Sequence, residues 1–323
     1  MSGADPLSRA LWVLGLALTI VAVGLTTRRL EAAASSTVVP FLVLGAVIAG
    51  AVVVDGLGLF GWASRMLTRS CSGVGLRMAL LGFAAIVSAG VNLDVAVAVV
   101  VPTALRAVRH QGESGDLAIA VALTANAASF LLPTSNPSTL LVLSRAPMPP
   151  GAYIARSWIA WLMVTVYTVV TLGLLACRQR STRRVIKAEH AARLRPSMLL
   201  DLIPMFACAT AIRSLIGISG LVVSGGAVHA MAITTALDLA VNNLPAAAAV
   251  HPSGDASVWG AILGLAVGPN AFITASLASL IARKLAISEG AHFSITRFAF
   301  LGVLMVPAQL ALADLGLHLS GAL

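Results

Sequence analysis

Four short clusters of amide, hydroxyl and carboxyl side chains interrupt stretches of the sequence that are otherwise apolar. Two of them pair a carboxylate with asparagine: Asn92 and Asp94 in the first, and Asp238, Asn242 and Asn243 in the second. The other two hold neutral polar residues: Asn126, Ser135, Asn136, Ser138 and Thr139, and then Asn270, Thr274, Ser276 and Ser279. Hard cations and oxyanions both bind groups of this kind.

The composition indicates whether these clusters lie in a soluble protein or in a membrane protein. Apolar residues make up 59% of the 323 positions and charged residues only 10%, whereas a soluble domain carries about 25% charged residues. This excludes a soluble globule, and the high hydrophobicity excludes a disordered chain. Apolar stretches recur along the whole chain, so we expect an all-α polytopic membrane protein. Polar groups at membrane depth mark substrate and ion pathways, and hydrogen bonding between helices is the alternative role of each carboxamide.

Other kinds of site have little support in the sequence. We assign the net charge of +9 to Lys and Arg in cytoplasmic loops and not to nucleic-acid binding. The three cysteines, Cys71, Cys177 and Cys208, lack metal-ligand spacing, and the histidines form no metal motif. The sequence contains no P-loop for ATP. We therefore expect no metal and no cofactor.

The polar clusters fall in segments that differ from simple membrane spans. Plain spans of about 20 apolar residues are predicted at 10–27, 38–62, 154–176, 199–222 and 296–320. The first of these has features of a signal peptide as well, and we favour a retained helix. Segments 116–143 and 257–282 contain proline and glycine beside their polar residues. These residues break helices, so the two segments predict broken helices at membrane depth.

Counting positive charges indicates how segments 78–105 and 230–250 run. Cytoplasmic loops are enriched in Lys and Arg, and the loop 178–195 holds seven of them. With this loop inside and Arg213 left out as intramembrane, two simple spans place 11 basic residues inside and 9 outside. Two re-entrant hairpins place 16 inside and 4 outside. The hairpins are therefore predicted, with the first opening inward and the second outward.

This arrangement repeats the order span, hairpin, broken helix, span in two halves of opposite orientation. We predict an N-terminal helix at 1–37, a first repeat at 38–176, a basic cytoplasmic linker at 177–197 and a second repeat at 198–323. Inverted repeats of this kind are the architecture of many secondary transporters, whose sites lie near the midplane. The prediction is thus a multi-pass protein of a plasma membrane, namely a bacterial inner membrane.

At three motifs the sequence resembles the arsenical pump membrane protein (ArsB) family of the ion transporter superfamily. They are Asp55-Gly56-Leu57-Gly58, Val241-Asn242-Asn243-Leu244-Pro245 and Gly268-Pro269-Asn270, the last followed by Ser276 and Ser279. The resemblance implies efflux of arsenite or antimonite, driven by the proton gradient or assisted by a partner ATPase. The same superfamily includes sodium/proton antiporters and dicarboxylate/sodium symporters, which are the alternatives. A homodimer is left open.

The resemblance assigns ion or substrate contacts to residues of all four clusters. The second half supplies Asn242, Asn243, Asn270 and Ser276; Ser135 and Asn136 match the corresponding first-half motif loosely, and Asn92 and Asp94 match the hairpin tip. This chain lacks the proline and glycine that the family carries near Thr274, which predicts less unwinding in its second broken helix. It also lacks two helices that full members have before Met198.

Two further interpretations stand beside transport. Gly217-Ile218-Ser219-Gly220 resembles the nucleophile motif of rhomboid proteases, with His229, His251 or His318 as the base, and would make the chain an intramembrane enzyme. The missing helices would fit an accessory membrane subunit. Arg213, inside a predicted span, either reaches the interface, pairs with Asp94 or Asp238, or contacts an anion.

Overall fold

The computed structural model describes residues 27–108, 115–175, 198–216 and 220–323. The first half contains seven α-helices: α1 Thr27–Gly56, α2 Leu59–Ser70, α3 Gly73–Gly90, α4 Leu93–Ala107, α5 Gly115–Ala127, α6 Pro137–Leu143 and α7 Pro150–Leu175. The second contains α8 Met198–Ile216, α9 Ala227–Val241, α10 Asn243–Ala249, α11 Asp255–Val267, α12 Leu277–Ser288 and α13 Ile295–Leu319. The basic linker at 177–197 and most of the predicted helix 10–27 lie outside the described residues.

Four helices of the described part of the chain are long and apolar enough to cross a membrane. They are Glu31–Gly56, Gly73–Gly90, Pro150–Leu175 and Ile295–Leu319. Their outer faces expose large apolar side chains, among them Leu42, Ile86, Val166 and Phe300. Large exposed apolar surface is what lipid contact requires. The predicted all-α membrane protein is therefore confirmed at this level.

Two predicted spans end earlier than expected. The span 38–62 ends at Gly56, and Gly58, with φ of +79°, starts the separate helix α2, whose Trp62 is exposed. The span 199–222 ends as a helix at Ile216, and β1 Leu221–Val223 pairs in parallel with β2 Val250–Pro252. Valines favour extended backbone, and Gly220 with φ of +62° precedes β1. The expected boundary at residue 37 also falls inside α1.

The four segments predicted to be irregular are all interrupted. Segment 78–105 breaks between α3 and α4 at Asn92, and segment 230–250 breaks between α9 and α10 at Asn242. Segment 116–143 breaks between α5 and α6, and segment 257–282 between α11 and α12. The helices α4, α5 and α11 are buried on nearly every side, so the three interruptions that border them lie inside the protein. The interruption at Asn242 lies nearer the surface, where Val241 is exposed.

The two halves of the chain interlock. Helix α1 packs on α8, and α7 packs on α13, so corresponding helices of the two halves are neighbours. The second arm of each broken helix contacts the other half: α6 packs on α10 and α11, and α12 packs on α4 and α5. Each break is therefore enclosed by elements from both halves.

Candidate functional site

The two breaks have the same length. Residues 128–136 separate α5 from α6, and residues 268–276 separate α11 from α12, nine residues in each case. Both end with a 3₁₀ turn, Pro133–Ser135 and Ile273–Ala275, followed by one extended residue, Asn136 or Ser276, before the next helix. The second break has a further 3₁₀ turn at Gly268–Asn270, so it keeps more helical backbone than the first, in agreement with the expectation of less unwinding.

An asparagine at the α3–α4 junction and another at the α9–α10 junction each cap the next helix and also bind the break of their own half. The Asn92 Oδ1 accepts from the Asp94 backbone N–H at 2.8 Å, and its amide donates to the Ser135 carbonyl at 3.4 Å. The Asn242 Oδ1 accepts from the Leu244 N–H at 3.4 Å, and its amide donates to the Thr274 carbonyl at 2.9 Å. In each half, therefore, an asparagine side chain links the junction of two helices to the break by the same kind of hydrogen bond.

Asn242 adopts a conformation that L-residues rarely take. Its φ is +83°, and no other described residue except glycine has a positive φ. Such backbone costs about 1–3 kcal/mol and persists where the surroundings hold it. The two side-chain hydrogen bonds of Asn242, with Leu244 and Thr274, hold it in this conformation.

The breaks meet in a buried network centred on Asn126. Its amide nitrogen lies 3.2 Å from Asn270 Oδ1 and 3.1 Å from Ser279 Oγ, and its Oδ1 accepts from the Ser276 hydroxyl at 3.0 Å. The Asn126 carbonyl in turn accepts from Ser129 at 2.8 Å. Because Asn126 belongs to the first half and its three side-chain partners to the second, the network couples the halves.

The network extends to two residues that the sequence analysis did not single out. Asn270 donates to the Leu123 carbonyl at 3.1 Å and to Gln309 Oε1 at 3.3 Å, and Gln309 donates to the Thr168 hydroxyl at 2.8 Å. Gln309 and Thr168 lie on α13 and α7 and are fully buried. A glutamine in the middle of an apolar span was the available signal for this site.

Not every predicted residue joins this network. Asn136 is linked to Asn126 only indirectly, because it donates to Ser129 at 3.0 Å, and it accepts from Ser138 at 2.6 Å. The Ser135 hydroxyl closes its own turn by donating to the Leu132 carbonyl. Thr274 contributes its carbonyl, but its side chain is exposed. Asn243 is buried beside the tip and makes no side-chain hydrogen bond within the described ranges.

The two predicted carboxylates are both buried. Asp94 lies in the first turn of α4. Asp238, on α9, is fully buried, and neither of its carboxylate oxygens has a hydrogen-bond partner among the residues that the structure describes. It faces the second break, because a Cβ atom placed on Gly268 would lie 3.2 Å from Asp238 Oδ2. A carboxyl group in this position either holds a proton and is neutral, or is ionised and needs a cation to offset its desolvation.

Arg213 does not pair with either carboxylate. It is buried in the last turn of α8, and its Nη1 has no partner within the described part of the chain. The ion pair offered as one alternative is therefore wrong. The protease-like residue Ser219 lies outside the described residues. Of the three histidines proposed as its base, His229 contacts the Ser224 carbonyl at 2.9 Å, and His318 lies 3.7 Å from Asp314.

The site is built from neutral hydrogen-bonding groups with one unpaired carboxylate at its edge. Within the described ranges, no group of three His, Cys, Asp or Glu side chains is placed to hold a metal ion. No protein-family model matches this sequence, and no curated protein matches it.

Proposed function

We propose that this protein is a secondary active transporter of an inorganic ion. The observation that carries the proposal is the repeated contact of a hairpin-tip asparagine with the 3₁₀ turn of an interrupted helix, Asn92 on Ser135 and Asn242 on Thr274. Unwound backbone at membrane depth is characteristic of transport sites. Two such units around one polar network support re-entrant hairpins in two inverted repeats. The membrane that we propose is a bacterial inner membrane.

The interlocked breaks give the proposal its mechanism. Asn126 binds Asn270, Ser276 and Ser279 of the other half. Rocking one half against the other, as in alternating access, must break or exchange these hydrogen bonds. A cargo that supplies replacement hydrogen bonds lowers the cost of that step, so the network is the place where cargo binding couples to movement.

The cargo we propose is arsenite or antimonite, in the direction of efflux. At neutral pH these species are mainly neutral trihydroxides, whose three hydroxyl groups both donate and accept hydrogen bonds. The amides and hydroxyls around Asn126 offer both functions without a net charge. The proton gradient, alone or with a partner ATPase, supplies the driving force.

A sodium/proton antiporter is the second candidate, and Asp238 favours it. The carboxylate is fully buried without a hydrogen-bond partner among the described residues and faces the second break. Exchange of a proton for a sodium ion at such a group is the simplest form of coupling at membrane depth. The two candidates share the same network and differ in what the carboxylate carries.

The test is a flux assay with the purified chain in proteoliposomes. Arsenite, sodium and a dicarboxylate are compared with and without an imposed pH gradient, against liposomes without protein. We expect arsenite to accumulate in response to the gradient. Sodium movement without arsenite movement would replace the first candidate by the second. No gradient-dependent movement of any of the three would contradict the proposal.

A further inference from the structure

Three buried nitrogen atoms stand apart in the described structure. They belong to Arg145, which follows α6, to Arg213 in the last turn of α8, and to His251 in β2. Arg145 Nε, Arg213 Nη1 and His251 Nδ1 are all buried without a hydrogen-bond partner in the described part of the chain. Buried donors are normally paired, so these three orphans call for an explanation.

Gly220 shows that Arg145 and His251 are neighbours. A Cβ atom at Gly220 would lie 3.1 Å from Arg145 Nη1 and 3.2 Å from His251 Cβ. Arg145 is held there because its guanidinium donates to the Ala248 carbonyl at 2.6 Å and to the Val250 carbonyl. Burial and the positive charge of Arg213 lower the pKa of Arg145 to about 10. The positive charge of Arg213 therefore acts on Arg145.

Nothing described in the protein neutralises this pair. Neither Arg145 nor Arg213 has a carboxylate within ion-pair distance among the residues of known placement. The residues that directly precede Gly220 are Gly217, Ile218 and Ser219, which carry no acidic group. An uncompensated buried charge is strongly destabilising, and here two like charges share one site.

We propose that Arg145, Arg213 and His251 form a binding site for a phosphate-type oxyanion. A guanidinium presents a fork of donors that matches two oxygens of such an anion. The unused Nε of Arg145, Nη1 of Arg213 and Nδ1 of His251 would supply these contacts from three different elements. The ligand is either dissolved phosphate or the phosphate of an anionic lipid headgroup. The site is separate from the transport function proposed above and does not depend on it.

The test measures thermal unfolding of the purified full-length protein. In detergent, sodium phosphate is compared with sodium chloride at equal ionic strength. A ligand that binds only the folded state raises the melting temperature with its concentration, so we expect wild type to gain in phosphate. In a second arm without phosphate, phosphatidylcholine nanodiscs are compared with nanodiscs that also contain phosphatidylglycerol. A gain in that arm identifies the lipid source.

Two substitutions separate a specific site from general charge effects. Arg213→Gln should reduce the apparent phosphate affinity at least about tenfold, the equivalent of one lost charge-assisted contact. It should also melt above wild type in chloride, since the unpaired charge is gone. The control Arg156→Gln removes an equal charge from the exposed pair with Asp255 and should keep the phosphate response.

The wild-type comparison decides the proposal even if Arg213→Gln does not fold. If wild type responds to neither phosphate nor phosphatidylglycerol beyond chloride and phosphatidylcholine, the site does not exist. If Arg156→Gln loses the response as fully as Arg213→Gln does, the effect is general electrostatics and the proposal fails.

Discussion

At the scale of single residues, Asn126 carries the contact between the halves. Replacing it by alanine removes three side-chain hydrogen bonds and leaves buried groups unpaired, which costs about 1–3 kcal/mol for each such group. We therefore expect Asn126→Ala to lower the melting temperature and to abolish flux. Ser288→Ala is the matched control, because the exposed Ser288 hydroxyl bonds only within its own helix. Equal flux in both variants would reduce Asn126 to a packing residue.

The prediction for the buried carboxylate of Asp238 concerns the coupling of transport to the gradient and not the binding of cargo. Asp238→Asn preserves the shape of the side chain but can no longer exchange a proton or a cation. Because the carboxylate faces the second break without a described partner, we expect gradient-driven accumulation to disappear while downhill exchange of cargo continues. Asp314→Asn, on the pair with His318, is the control. Accumulation with unchanged pH dependence in Asp238→Asn would make this carboxylate structural.

At the scale of elements, helix α13 approaches the second break so closely that only glycine fits. A Cβ atom on Gly302 would overlap the Asn270 backbone carbonyl. Gly302→Ala must therefore shift α13 or the break, and overpacking of this kind costs about 1–3 kcal/mol. We expect a lower melting temperature and loss of flux, because Asn270 and Gln309 then separate.

Gly82 in α3 is the matched control for this substitution. It has open space around the position of a new Cβ atom, and alanine favours a helix over glycine by about 0.5–1 kcal/mol. Gly82→Ala should keep flux and melt no lower than wild type. If Gly302→Ala also keeps flux and melts no lower than wild type, transport does not depend on the close approach of α13.

The sequence predicts the elements well where polar residues interrupt apolar ones. Proline and glycine mark both broken helices locally, whereas the turns in segments 78–105 and 230–250 are predicted from the count of positive charges along the chain. Sequence signals of this kind do not show which segments pair or which side chains are exposed in the folded protein. The strand Leu221–Val223 depends on a partner 29 residues further along, at Val250, and the exposure of Thr274 depends on which way the 3₁₀ turn faces. Gln309 was overlooked because one polar residue leaves an apolar span intact.

At the scale of the whole molecule, ion pairs join the halves at one end. Arg106 at the end of α4 lies 2.5 Å from Glu289 after α12, and Arg297 in α13 lies 2.7 Å from Asp116 in α5. Both pairs connect the first half with the second at the end where α4 and α12 finish. Together with the Asn126 network, they fix one arrangement of the halves in the described structure, and alternating access requires that arrangement to change.

The central claim is that the two halves have opposite orientations in the membrane, and the sidedness of cysteine labelling tests it most directly. In a background without Cys71, Cys177 and Cys208, single cysteines at the exposed positions Ser253 and Ser288 are labelled with an impermeant maleimide in intact cells and in inverted vesicles. Two re-entrant hairpins place position 253 outside and position 288 in the cytoplasm. We predict labelling of position 253 only in intact cells and of position 288 only in inverted vesicles. With the linker 177–197 in the cytoplasm, the reverse pattern means that segment 230–250 is a simple span, and it would contradict the account.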